Sequence, residues 1–202
     1  MKKLVIICLL SVSVFSVFAV KSSVSVRGGY GFDWYKYSDA NEKGSAQYVP
    51  IHIGSSFYFN ESSSTGFSIG VDLMLATRFD GLSVPASTKE KTVLSANPSA
   101  TFTFRGQLSE FFSLKLHAGF RWKTLTRQYT AIADYRHMRR GLEILAGIDA
   151  EFWFTEIVGF NLACNFGFGI ANKIVSPAYS AQDVKLKGCF SVEPSAGVLV
   201  RI

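Results

Sequence analysis

The sequence contains few cysteines, few prolines and a single long uncharged run. Three cysteines occur among its 202 residues, and Cys8 lies inside that run near the N-terminus. The other two, Cys164 and Cys189, fall on opposite faces of the strands described below, so we expect no disulfide bond. No second run is long enough for a transmembrane helix, which excludes a membrane protein of several helices. With only five prolines, long parts of the chain are free to form strands.

Histidine is scarce as well, and its scarcity limits catalysis and metal binding. The three histidines are His52, His117 and His137. None of them has a second ligand residue at the short spacing typical of a metal site. No glycine-rich phosphate loop follows a strand. We therefore expect neither a metal ion nor an organic cofactor.

The N-terminal run is typical of a secretory signal peptide. Lys2 and Lys3 precede residues 4–20, which carry no charge. The run ends in small residues, so we predict that residues 1–19 are cleaved and that residues 20–202 form a single domain. An uncleaved membrane anchor is the alternative. Loss of the two lysines lowers the net charge from +6 to +4, and so modest a charge on an exported protein does not indicate a nucleic-acid partner.

Eight segments of the remaining chain alternate apolar with polar residues, the period of two that a β-strand gives. Each is at least as long as the roughly 9–11 residues that a tilted strand needs to cross a bilayer. They are residues 23–35, 48–59, 66–79, 92–106, 111–124, 140–154, 159–170 and 188–202. Pro98 and Pro194 fall inside two of them, and we expect bulges or gaps there because proline cannot donate to the ladder.

The connections between these segments alternate in length. Three are short, namely residues 60–65, 107–110 and 155–158. Four are long, namely residues 36–47, 80–91, 125–139 and 171–187. Short periplasmic turns alternating with long external loops are typical of a transmembrane barrel. An even number of strands places both ends of the chain on the periplasmic side.

The distribution of charge indicates which face of these strands is outside. One face collects the charged residues, which are Arg27, Asp72, Lys115, Arg121, Glu143, Asp149, Glu151 and Glu193. The opposite face is uncharged across the middle of every strand. A soluble barrel of the lipocalin kind needs the reverse arrangement. We therefore predict an all-β, eight-stranded antiparallel up-and-down transmembrane barrel. Aromatic residues at the strand ends, among them Trp34, Tyr48, Phe79 and Trp122 near the long loops, are expected to form girdles in the membrane interfaces.

The last segment supports this prediction by its ending. Ser195, Gly197, Val200 and Ile202 have the spacing of the terminal insertion signature of bacterial outer-membrane barrels, although that family favours aromatic residues where this chain has Val200 and Ile202. In architecture and ending, the chain resembles the small outer-membrane barrels of the OmpX, opacity-protein and OmpA transmembrane-domain type. The resemblance implies a bacterial outer-membrane location, insertion by the barrel-assembly machinery and contact with outer-membrane lipids. It also implies a monomer with its long loops outside the cell.

Members of this family serve mainly as surface proteins, so the resemblance implies a non-enzymatic role in adhesion or envelope protection. The third long loop would supply basic and aromatic contacts for a host or extracellular ligand, from Arg127, Tyr135, Arg136, Arg139 and Arg140. A solvated loop whose arginines rest on the membrane surface is the alternative. A lipid A-modifying enzyme is disfavoured, since no histidine faces lipid and the lumen is charged.

The most specific prediction concerns which charged residues form pairs inside the barrel. If Trp122 faces Leu142, then Arg121 faces Glu143 and Lys115 faces Asp149. A register shifted by two residues instead pairs His117 with Asp149 and Lys115 with Glu151. Such pairs either plug the barrel permanently or act as a latch that opens a narrow pore, and the pore is the alternative function.

Overall fold

The computed structural model describes residues 21–38, 42–59, 64–80, 90–129, 135–175 and 183–202. The predicted signal peptide, residues 1–19, lies outside this described part. The strands are β1 (Lys21–Gly29), β2 (Gly31–Tyr37), β3 (Lys43–Tyr58), β4 (Thr65–Asp80), β5 (Glu90–Thr92), β6 (Leu94–Gln107), β7 (Phe112–Tyr129), β8 (Tyr135–Trp153), β9 (Val158–Val175) and β10 (Asp183–Arg201). Among the described residues, no helix is long and apolar enough to span a membrane.

The strands close into a single antiparallel ring. β1 and β2 follow each other along one barrel strand, which pairs with β3 on one side and with β10 on the other. β5 and β6 share another barrel strand, and both pair with β7. The remaining neighbours follow in chain order, from β3 to β4 and from β7 to β10. The predicted eight-stranded up-and-down barrel is confirmed.

The two ends of the barrel differ. At the turn end lie the strand ends Tyr58, Thr65, Gln107, Phe112, Trp153 and Val158, together with Lys21 and Ile202; at the loop end lie the strand ends Tyr37, Lys43, Asp80, Glu90, Tyr129, Tyr135, Val175 and Asp183. The strands reach further towards the loop end than the sequence predicted. The third long loop, placed at residues 125–139, is mostly the hairpin of β7 and β8, which stay paired from Leu125 opposite Arg139 to Tyr129 opposite Tyr135. Hairpin pairing needs only backbone hydrogen bonds, so it continues past the point where the apolar alternation stops.

Both strand prolines interrupt the ladder, as predicted. β6 pairs with β7 only from Ser99 onward, and the side chain of Asn97 replaces the missing ladder there. It donates from Nδ2 to the Thr124 carbonyl at 3.2 Å and accepts from the Thr124 N–H at 2.6 Å. Pro194 stands opposite the break at Tyr30 that separates β1 from β2. The cause in both cases is the missing N–H of proline.

Three register shifts lie in the loop-end half of the barrel. One extra residue enters β4 opposite Gln47 and Tyr48, and one enters β9 opposite Leu142 and Glu143. The third enters β10 between Lys187 and Phe190, where Gly188 has a positive φ of 56°. An extra residue reverses which later side chains point inward.

The loop end of the interior is filled by an apolar layer, some of whose members, such as Phe79, are turned inward by these extra residues. Its buried members are Tyr35, Tyr37, Ala46, Tyr48, Met74, Ala76, Phe79, Leu125, Ile174, Leu186 and Cys189. The prediction that Tyr48 and Phe79 belong to an outer girdle is therefore wrong. Tyr48 lies on the inward face of β3, and the extra residue in β4 turns Phe79 inward.

Candidate functional site: the charge network of the barrel interior

Arg121 is the centre of a buried charge network in the middle of the barrel. Its guanidinium contacts Asp72 of β4 at 3.0 Å, Glu143 of β8 at 2.9 Å and Glu193 of β10 at 2.6 Å. Asp72 also contacts Nδ1 of His52 on β3 at 2.5 Å. Three strands besides β7 thus supply carboxylates to one side chain, and each contributes a residue of its inward face.

Two further cations lie between Arg121 and the apolar layer. The Lys123 ammonium donates to the Tyr48 hydroxyl at 2.7 Å and lies 3.4 Å from Glu193. Arg139 contacts Asp33 at 2.5 Å and Glu143 at 2.8 Å. The prediction that Arg139 is a loop residue available for a ligand is wrong, because it is fully buried in the lumen. It shares the inward face of β8 with Glu143, four residues further along that strand.

A second cluster fills the lumen towards the turn end. Lys115 lies 2.7 Å from Asp149 and 3.6 Å from Glu151. Arg27 of β1 reaches Asp149 at 2.8 Å, and Arg105 of β6 reaches Glu151 at 3.1 Å. His117, which the shifted register had paired with Asp149, lies 3.8 Å from that carboxylate and 3.0 Å from the Asn165 amide oxygen.

The register of β7 and β8 sets Trp122 against Leu142 and Arg121 against Glu143. The across-barrel partners of Arg121, which are Asp72 and Glu193, were recognisable in the sequence only as members of the charged face. Their contact with Arg121 follows from closure of the ring, which no local pattern encodes. Across both clusters six cations meet six carboxylates. This balance matters, because a buried charge without a partner is very costly.

The lumen described here is filled rather than open. Between the two clusters lies a cavity of about 30 Å³, bordered by His52, Ser99, Lys115, His117 and Asp149, among others. Such a volume holds about two or three water molecules. Arg121 and Lys123 are fully buried, and the apolar layer covers them on the loop side. The arrangement can hold the barrel shut and rigid.

The other residues predicted for a ligand-binding loop are not gathered in one place. Arg127 is in β7, and its guanidinium donates to the Thr77 carbonyl. Arg140 is in β8 opposite Lys173 of β9. Tyr135 and Arg136 begin β8, but their side chains lie outside the described residues.

The proposed insertion signature lies at the turn end of β10. Val200 and Ile202 point outward and are 38% and 71% exposed. Ser195 and Gly197 pair with the neighbouring strand β1 in regular register. A Cβ atom at Gly197 would collide with the backbone oxygen of Val26, so a side chain cannot be accommodated there.

Metal or thiol chemistry finds little support in the described part of the chain. Among those residues, no group of three His, Cys, Asp or Glu side chains is arranged to hold a metal ion. Cys164 and Cys189 are free thiols.

Comparison with solved structures identifies the architecture. The surface protein NspA of Neisseria matches with a TM-score of 0.53 and 17% identity, over 88% of this chain and 96% of NspA. The outer-membrane protein OprG of Pseudomonas aeruginosa matches with a TM-score of 0.54 and 11% identity, over 91% and 97% of the two chains. The chain has the fold of the small outer-membrane β-barrels.

A third small outer-membrane barrel agrees. A major outer-membrane protein of Thermus thermophilus matches with a TM-score of 0.53 and 11% identity, over 90% of this chain and 99% of that one. No family model matches the sequence, and no curated protein matches it in sequence. The structural matches establish the shared barrel fold. At sequence identities this low they do not indicate the function of this chain.

Proposed function

We propose that this chain is a non-enzymatic surface protein of the bacterial outer membrane. The observation that carries the proposal is the inverted arrangement of its side chains. Arg121 and Glu143 are fully buried inside, whereas Phe102, Phe120 and Leu116 are 75%, 56% and 47% exposed on the outer wall. An outer wall of this kind is insoluble in water and suited to lipid. NspA and OprG, which share the fold, are named as surface and outer-membrane proteins.

The outer wall also indicates the thickness of the membrane it suits. Along β7 the outward side chains are apolar from Phe112 to Trp122 and become polar at Thr124. That stretch of 11 residues is the length that a tilted strand needs to cross a bilayer. In this proposal the turn end is periplasmic, the loop end is outside the cell, and residues 1–19 are removed during export. The C-terminal strand directs insertion by the barrel-assembly machinery, and the barrel is a monomer.

Display at the loop end is the role that this architecture supports. The hairpins of β7 with β8 and of β9 with β10 extend well past the apolar wall, and binding residues are found disproportionately on the loops that a rigid scaffold carries. A rigid, filled barrel is a stable base for such hairpins. We propose adhesion or envelope protection as the role of the loop end.

The filled lumen weighs against the alternative of a narrow pore. An open path would need both charge clusters and the apolar layer to rearrange together. Catalysis on membrane lipids is also disfavoured, since His52, His117 and His137 point into the barrel and none reaches the lipid-facing wall.

Fractionation and electrical recording test the proposal. The processed chain should be recovered with the outer membrane and should migrate differently on gels with and without boiling, because a closed barrel resists detergent. The purified protein should show no stable conductance in a planar bilayer. Recovery as a soluble protein without the gel shift would contradict the membrane location, and steady channel openings would restore the pore as its function.

A further inference from the structure

Two arginines meet on one tryptophan at the turn end of the lumen. Trp153, the last residue of β8, is buried, and its indole N–H donates to the Ser113 hydroxyl at 3.4 Å. The guanidinium of Arg201 on β10 lies over the indole, 4.1 Å from the ring centroid, and that of Arg105 on β6 lies over it at 5.4 Å. Gly159 stands opposite Trp153 on β9, where a Cβ atom would lie only 3.0 Å from the indole. The missing side chain at Gly159 therefore makes room for this ring.

The two arginines differ in their anionic partners. Arg105 contacts the Glu151 carboxylate at 3.1 Å and is 14% exposed. Arg201 is also partly exposed, and no carboxylate of a described residue lies within 4.0 Å of its guanidinium. Glu156, in the turn between β8 and β9, is close enough to interact with Arg201 electrostatically but does not pair with it. The N–H groups of the Arg201 guanidinium are therefore available to a ligand.

Positive charge is in excess at the turn end of the lumen. Among the described inward residues, four cations lie there with two carboxylates, namely Arg27, Arg105, Lys115 and Arg201 with Asp149 and Glu151. The network around Arg121 has the opposite imbalance, with three cations and four carboxylates, namely Arg121, Lys123 and Arg139 with Asp33, Asp72, Glu143 and Glu193. A confined space lined by one sign of charge raises the local concentration of ions of the other sign. The turn end of the lumen therefore attracts anions.

A buried hydroxyl without a partner belongs to the same group of side chains. Tyr58, the last residue of β3, is 3% exposed, and the Arg105 guanidinium lies over its ring at 5.6 Å from the centroid. The Tyr58 hydroxyl has no hydrogen-bond partner among the described residues. Buried polar groups are rarely left unpaired, and a hydroxyl beside a guanidinium offers a second kind of donor to one anion. We call Tyr58, Arg105, Trp153 and Arg201 the turn-end mouth.

We infer that the turn-end mouth is a binding site for an oxyanion group, a carboxylate or a phosphate, of a soluble ligand. The Arg201 guanidinium pairs with the group, because its fork of N–H donors matches the oxygens of carboxylates and phosphates. The Tyr58 hydroxyl donates to the same group, and Trp153 orients the guanidinium. The mouth lies at the end opposite the display hairpins, so the inference goes beyond the proposed function. Only the placement of the ligand in the periplasm rests on the orientation proposed above.

NMR spectroscopy of the purified barrel in neutral detergent micelles tests the site. The chain has three tryptophans, Trp34, Trp122 and Trp153, and each gives one indole N–H signal. Trp34 and Trp122 are exposed on the outer wall and serve as controls in the same sample. The probes are sodium acetate and sodium phosphate, with acetamide as the neutral counterpart of acetate and sodium chloride to keep the ionic strength constant. We expect acetate or phosphate, but not acetamide, to move the Trp153 signal to saturation while the two control signals stay in place.

Four variants separate the contributions to binding. Arg201→Gln should weaken anion binding about tenfold or more, because it removes hydrogen bonds from a charged donor. Arg78→Gln removes the same charge from an exposed position on β4 at the loop end and should bind within about twofold of the parent. Tyr58→Phe should weaken binding about threefold or more, yet without the anion it should unfold at the same or a higher temperature, since an unpaired buried hydroxyl is gone. Glu156→Gln removes a nearby negative charge and should bind about twofold more tightly.

The outcomes separate the ligand classes from failure of the site. Saturation by acetate alone assigns carboxylates and saturation by phosphate alone assigns phosphates, and either result supports the site. A response to neither probe, equal movement of all three indole signals, the same movement with acetamide, or full affinity in Arg201→Gln would overturn the inference while the barrel still shows its gel shift. Failure to form a heat-shifting barrel at all would instead overturn the proposed function.

Discussion

Arg121 and Glu193 lie 72 residues apart in the sequence and form two hydrogen bonds of 2.6 Å across the barrel interior. Glu143, on the strand next to Arg121, contacts the same guanidinium at 2.9 Å. Asp72 approaches it from the other side. Arg121 is therefore shared by several carboxylates instead of forming one separate cross-strand pair. The expected loss of stability on substitution differs between Arg121 and its partners for this reason.

Substitution of Arg121 should lower the free energy of unfolding more than substitution of one of its carboxylate partners. Arg121→Ala removes one cation from three carboxylates at once, Asp72, Glu143 and Glu193, whereas Glu143→Ala leaves Arg121 with two partners. We expect Arg121→Ala to lower the free energy of unfolding by about 3–5 kcal/mol or more, the cost typical of a broken buried pair, and Glu143→Ala to lower it by less. Urea unfolding of the barrel in liposomes measures both.

The double variant and a surface control sharpen this prediction. Arg121→Ala with Glu143→Ala should remain less stable than Glu143→Ala alone, because Asp72 and Glu193 still lack the Arg121 guanidinium. Arg78→Ala breaks the exposed pair with Asp80 and should cost at most about 1 kcal/mol. Strict additivity of the two interior changes would show that Arg121 and Glu143 are not coupled.

A charged side chain on the outer wall should destabilise the barrel. Leu116 is 47% exposed near the middle of the apolar stretch of β7 that runs from Phe112 to Trp122. Leu116→Arg should therefore cost roughly 2–4 kcal/mol in a bilayer, because the cation meets the hydrocarbon core. Leu108→Arg, in the short turn between β6 and β7, should cost far less. Equal costs at the two positions would mean that the wall does not face lipid. Inward Ser99 is a poor control, since it borders a cavity too small for an arginine side chain.

The side chain of Asn97 should protect the backbone of Thr124. Asn97→Ala removes the acceptor of the Thr124 N–H in a gap where Pro98 prevents ladder pairing. We expect a loss of about 1–3 kcal/mol and much faster hydrogen exchange at the Thr124 amide. Asn97→Asp keeps the acceptor oxygen and should keep the amide protected. Unchanged exchange in Asn97→Ala would show that another group accepts this proton.

His137 should make the loop end sensitive to acid. It lies on the inward face of β8 beyond the apolar wall, and burial lowers its pKa to about 4. An unfolded histidine titrates near 6.5, so between these pH values the unfolded chain binds more protons. The contribution of His137 to the free energy of unfolding is therefore fully present above about pH 6.5. It is lost as the pH falls towards 4.

The measurement is the temperature of the gel shift between pH 7.5 and pH 4.5. His137→Phe places an uncharged ring beside Phe79, whose centroid lies 6.3 Å from the imidazole. This variant should show a weaker pH dependence than the parent. Identical slopes for the two proteins would show that His137 does not contribute.

The sequence alone determined the barrel, because alternation is a local property. A period of two in the middle of each strand, with Leu116 outward and Lys115 inward, follows from strand geometry wherever the strand lies. Eight such segments with alternating short and long connections leave few topologies. The same local reasoning predicted gaps at Pro98 and Pro194, because a proline lacks the N–H that would donate a ladder hydrogen bond at its own position.

Tertiary structure decided everything that depends on ring closure and on single extra residues. Glu193 reaches Arg121 only because β10 returns beside β1 and closes the barrel. Arg139 belongs to the lumen because the β7–β8 hairpin stays paired past the apolar wall, where hydropathy no longer marks a strand. Phe79 turns inward and Lys187 outward because one added residue in the strand reverses the side chains beyond it. Such an insertion depends on the neighbouring strand, so the alternation of one segment by itself does not reveal it.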